Sequence, residues 1–173
     1  MRTRFVGIVF VLGMIAVGAA VAAVDRNWST HANGATEVPV RDTNAQGQAK
    51  LKLSKDGTQL DYKLIASNIE NVTQAHIHMA PAGENGTIVV WLYPSTSPPS
   101  ALPGAGRTNG VLAEGTIVAA NLTGPLAGRP LSELVSAINA GNAYVNIHTN
   151  DGVTGDNTGP GDFPGGEIRG NLP

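Results

Sequence analysis

Three imidazoles, a carboxylate and a guanidinium stand at alternate positions on three apolar segments of this 173-residue chain. They are His76 and His78 in Ala75-His76-Ile77-His78-Met79, His148 with Asn146 in Tyr144-Val145-Asn146-Ile147-His148-Thr149, and Glu167 and Arg169 in Gly166-Glu167-Ile168-Arg169-Gly170. Neutral imidazole is a good ligand for copper and zinc, and three such groups leave a coordination position open for water or substrate. Glu167 can serve as a fourth ligand or as the acceptor that fixes a histidine tautomer. The same groups can instead form a structural network, with Glu167 paired to Arg169 or a neighbour, Asn146 joining, and the histidines bonded to backbone and carboxylate. A small-anion or carboxylate site is a third reading. Arg169 places a positive charge near any cation, which weighs against the metal.

All three readings need three strands laid side by side. Successive residues of a strand point to opposite faces, so each segment sends its aliphatic residues one way and its polar groups the other. Val72–Met79 and Thr87–Tyr93 read as strands around a turn over Pro81–Gly86, and Ala143–Thr149 and Glu167–Leu172 read as the last two strands. Gln46–Ser54 and Thr58–Ala66 alternate polar and apolar residues around Asp56-Gly57, the signal of a hairpin. Pro94–Gly110 carries Pro94, Pro98, Pro99 and Pro103 without periodicity and reads as an exposed loop, after which Val111–Ala119 resumes a strand. One short helix is predicted from Pro130, with Leu131, Leu134, Val135 and Ile138 on one face and a stop at Gly141. The pattern predicts an all-β fold, an antiparallel Greek-key-like β-sandwich of about eight strands with one short helix.

Composition narrows the function classes. The 22 glycines and 11 prolines suit tight turns, and the absence of cysteine removes thiolate ligands, cysteine nucleophiles and disulfides. Arg2 and Arg4 precede an apolar run from Phe5 to Val21 that ends in Ala20-Val21-Ala22-Ala23, so residues 1–23 read as a secretion signal and 24–173 as a single domain. Left uncleaved, the run is close to the length of a membrane anchor, and it is the one feature that would hold the protein at a membrane. Without Arg2 and Arg4 the basic residues fall from 11 to 9 against 13 acidic ones, a net charge of about −4 that argues against nucleic acid as a partner.

Other features read more plainly. His31 is expected to be a partly exposed strand residue. Asp151, Asp156, Asn157 and Asp162 have the chemistry of a calcium loop without its spacing, which favours solvated turns. Trp91 and Tyr93 suit core packing better than a ligand platform. Four tripeptides, beginning at Asn27, Asn71, Asn85 and Asn121, fit the glycosylation acceptor pattern. No nucleophile elbow, phosphate loop or catalytic carboxylate pair is present, so no catalytic residue is assigned.

Glu37-Val38-Pro39-Val40 with Ala45-Gln46-Gly47, then Ala75-His76-Ile77-His78, Gly141-Asn142 through Thr149, and Gly165-Gly166-Glu167-Ile168-Arg169-Gly170 resemble the signature of the chordin-type (CHRD) domain from about Thr30 to Leu172. One proline stands where the first block often has two, and the loop 150–164 is longer than usual. The resemblance implies a secreted, periplasmic or cell-surface β-sandwich that acts as a non-catalytic binding or structural module toward an extracytoplasmic protein or surface component. A weaker similarity is to copper-zinc superoxide dismutase, in which a His-x-His strand and a later strand ending in His supply copper ligands. Only His76, His78 and His148 match that pattern. The bridging and zinc histidines have no counterpart, so this similarity implies a copper or zinc site with a redox or metal-handling role, and leaves dismutation unsupported.

Overall fold

The computed structural model describes residues 26–94 and 106–173. The secretion-signal reading of residues 1–23 and the centre of the proline-rich loop lie outside the described residues. Eight strands follow the alternation of polar and apolar residues: β1 (Asn27–Asn33), β2 (Gln46–Leu53), β3 (Leu60–Glu70), β4 (Val72–Met79), β5 (Thr87–Tyr93), β6 (Arg107–Ile117), β7 (Ala143–Thr149) and β8 (Ile168–Leu172). Among the described residues one α-helix, α1 (Leu131–Asn139), buries Leu131, Leu134, Val135 and Ile138, the stripe that its spacing predicts. Among the described residues no helix is long and apolar enough to cross a membrane.

The eight strands are all antiparallel, as expected for the all-β fold, and are hydrogen-bonded in the order β5-β4-β7-β8-β1-β2-β3-β6. The sheet curls until its edge strands β5 and β6 touch, which makes the fold nearly a barrel. Tyr62 on β3 spans the interior, its hydroxyl donating to the Leu92 carbonyl of β5 at 2.8 Å. The chain passes from β3 to β4 and from β6 to β7 over intervening strands, as a Greek key requires.

β6 starts earlier than the sequence predicts. Arg107–Gly110, expected in the loop, pair with the far end of β3, and register shifts after Leu64 and Ala66 let the two strands stay in contact along their length. β3 likewise runs on to Glu70, past the expected end at Ala66.

The inner face is a single apolar cluster to which β2, β3, β4, β7, β8 and α1 all contribute, with Leu64, Ile69, Ile77, Val145, Ile147 and Ile168 wholly buried. β7 lies between β4 and β8, and every one of its residues is buried. Its aliphatic side faces the core, and its other side carries Tyr144, Asn146 and His148.

Candidate metal centre

Register decides which polar groups meet. In the β4–β7 pairing His76 lies opposite Asn146, His78 opposite Tyr144 and Gln74 opposite His148; in the β7–β8 pairing Asn146 lies opposite Arg169. Directly opposed residues of a sheet share a face, so His76, His78, Asn146, His148 and Arg169 stand together. The nitrogen atoms that His76, His78 and His148 offer lie within 4.8 Å of one another. All three rings are buried.

Two backbone carbonyls set the tautomers. His78 Nδ1 lies 2.9 Å from the Gly86 carbonyl and His148 Nδ1 lies 2.7 Å from the Pro164 carbonyl. A carbonyl only accepts, so each Nδ1 carries the proton and each Nε2 presents a lone pair. His148 Nε2 faces His76 Nδ1 at 3.1 Å. Two ligand nitrogens bound to one ion at about 2.0–2.1 Å, with an angle of about 100° between them, are separated by about that distance. His76 Nε2 and His78 Nε2 are buried with no hydrogen-bond partner. Drawing the widest pair of donors to ligand spacing requires small side-chain rotations.

The rings are held neutral. Burial pushes the His76 pKa down to about 2, with His148 and His78 adding to the effect. Burial also lowers His148 to about 4 against the opposing bond to Pro164, and lowers His78 against the pull of Gly86 and Asn146. A neutral imidazole is the form that binds a metal.

Aromatic rings close the surroundings. Trp91 of β5 meets His76 edge to face at 4.2 Å, and Tyr144 stacks on His78 at 4.8 Å with the planes 8° apart. Tyr144 Oη accepts from the Gly86 amide at 3.1 Å, so the Gly86 residue grips both Tyr144 and His78. Only glycine fits at 86, because a Cβ there would run into the Met79 carbonyl.

Glu167 does not join the histidines. It lies one residue before β8 and its carboxylate turns toward Thr149: Oε1 accepts from Thr43 Oγ1 at 2.6 Å, and Oε2 accepts from Thr149 Oγ1 at 2.7 Å and the Gly161 amide at 3.0 Å. Those three bonds tie the loop before β2, the end of β7 and the long loop before β8 together, and correct the expectation of a fourth ligand. Glu167 is not paired with Arg169 either. The Arg169 guanidinium donates to Asn171 Oδ1 (2.8 Å), Glu84 O (2.8 Å) and Pro81 O (3.1 Å) and lies 3.5 Å over the Tyr144 ring. Glu167→Gln is expected to cost about 1–3 kcal/mol, because one of the three donors then faces an amide N–H instead of an acceptor. Urea unfolding measures that loss, and metal content should not change.

Asn146 donates to Glu37 Oε1 at 3.3 Å. Glu37, which was not among the sequence candidates, is buried, and burial raises its pKa against the opposing effects of Asn146, the Val38 amide, Arg169 and Arg41. Its only sequence signal was its place at the head of the first motif block.

Apart from Trp91, the remaining candidates lie away from this cluster. His31 is exposed and bonded to Gln46 Oε1, Asp162 Oδ2 accepts from the amide and hydroxyl of Thr158 within its own turn, and Tyr93 packs against the core.

The CHRD domain model matches residues 28–156, about three-quarters of the chain. The chain belongs to the CHRD domain family. No curated protein and no solved structure matches it. The matched span of this CHRD domain runs from β1 through β7, taking in all three histidines and Glu37, and ends before Glu167 and Arg169. Membership makes the chain a binding or structural module.

Proposed function

We propose that this CHRD domain protein is an exported, non-catalytic, single-domain module whose bound ligand is a copper or zinc ion held by His76, His78 and His148. The observation that carries this reading is the convergence of three buried imidazoles, each with one nitrogen within 4.8 Å of the others, two of the rings being anchored from behind on backbone carbonyls. A metal site aims neutral nitrogens at one point and fixes the rings from behind, and the Gly86 and Pro164 carbonyls do this for His78 and His148. The Glu167 and Arg169 bonds are the structural half of the polar face. A small-anion site is disfavoured because the guanidinium donors are already engaged.

A non-catalytic role is supported by enclosure, since all three histidines are buried. Export is supported by the leader-like residues 1–23 and by the extracellular setting typical of CHRD domains. The protein purified from its natural compartment should begin near residue 24, which mass spectrometry reads.

The test is metal content after exposure to copper or zinc and dialysis. About one equivalent is expected for the parent, and almost none for a folded His78→Gln variant. A parent that retains no metal refutes the reading, and so does a folded variant that retains the full equivalent.

A further inference from the structure

The three-histidine site lacks the two things a divalent ion needs. The first is negative charge. Glu37 is committed to Asn146 and the Val38 amide, and Glu167 to Thr43, Thr149 and Gly161, so among the described residues no carboxylate joins the imidazole nitrogens. The formal charge that acts on His78 is positive: Arg169 lies over Tyr144, which stacks on His78. The cost of removing an ion from water grows with the square of its charge, so a divalent ion forfeits roughly four times the hydration of a monovalent ion of the same size. Three neutral nitrogens return none of it as charge neutralisation.

The second missing element is a further ligand. Zinc sites are completed by a fourth protein ligand or by water, and Cu(II) favours tetragonal coordination. Here Trp91 and Tyr144 pack on the rings, and all three histidines are buried. Cu(I), a closed-shell monovalent ion, is satisfied by three nitrogens and asks for neither.

Resting on the three-histidine reading above, we infer that the site selects Cu(I) over Zn(II) and Cu(II), and so serves to hold or hand on reduced copper. The test loads the metal-free full chain with Cu(I) under anaerobic conditions with ascorbate, and separately with Zn(II) and with Cu(II) without reductant. Each sample is titrated with a chromogenic chelator for its ion. One equivalent of Cu(I) is expected, silent in electron paramagnetic resonance, with three nitrogen scatterers at the copper absorption edge. Its affinity should exceed that for Zn(II) by about 100-fold or more. His76→Gln should abolish retention and His31→Gln should leave it unchanged. Zn(II) or Cu(II) held as tightly as Cu(I) overturns the selectivity and leaves the three-histidine site standing; retention of no metal by the folded chain overturns both.

Discussion

Arg169→Leu is expected to destabilise the protein by about 3–5 kcal/mol, through the loss of three hydrogen bonds from a charged donor, a large part of the roughly 5–15 kcal/mol that a domain of this size has to lose. Arg169 has no exposed surface, and burial pulls its pKa below the ordinary value against the stabilising influence of Tyr144 and Glu37. Two of its three acceptors are backbone carbonyls, Pro81 and Glu84, both in the turn between β4 and β5. Pro81 and Glu84 are exposed and Asn171 is half-buried, so water can reach these acceptors once leucine is in place; what is lost is three hydrogen bonds from a charged donor, about 1.5–3 kcal/mol each at most, and the guanidinium's packing on Tyr144. Arg169→Lys should recover only part of the loss, because an ammonium is a point charge that does not span three acceptors as the planar guanidinium does. Urea midpoints of the three proteins at neutral pH measure the order. Equal stability of the parent and the leucine variant would show that the turn finds its hydrogen bonds elsewhere.

The same region shows what sequence can and cannot disclose. The limits read for β4, β5 and β7 coincide with the strands observed, because dense β-branched and aromatic residues between turn residues are a local signal. That the histidines share a face also follows from local alternation. That β4 and β7 are neighbours does not, since it depends on the β6-to-β7 crossover and on register.

Glu167 failed as a ligand because alternation holds only inside a strand. β8 begins at Ile168, and Gly166, with φ of 122°, turns the chain just before it. Glu37 sits on a loop without periodicity, so no pattern points from it to Asn146. The carbonyls of Gly86 and Pro164, which fix two of the three rings, are invisible to residue type, since every residue has one. How far the sheet curls toward a barrel is hidden for a related reason: it is decided by twist and by bulges, such as those along β3 and β6.

The metal-free protein should unfold in mild acid, and a bound ion should delay this. In the unfolded chain each imidazole takes up a proton near pH 6.5, whereas in the fold burial keeps His76 neutral down to about 2 and His148 down to about 4. Below pH 6.5 the unfolded chain therefore binds more protons than the folded one. Stability is complete above that pH and falls by about 1.4 kcal/mol per pH unit for each such ring. At pH 4.5 the two rings together remove about 5 kcal/mol, comparable with the whole stability of many domains. Glu37 acts in the opposite sense: its carboxyl is raised above 4.5, so the folded form takes up that proton first and recovers part of the loss between 4.5 and its raised value. One carboxyl opposes two imidazoles, with His78, also lowered, adding to their side. The measurement is the urea midpoint in the presence of a chelator at pH 7.5 and pH 4.5, for the parent and for His76→Gln. A steep fall in the parent and a shallower one in the variant are expected, while equal midpoints at the two pH values would mean that the rings are hydrated. Loading the site before acidification should move the unfolding transition to lower pH, because a proton must then displace the ion from a lone pair rather than find it free.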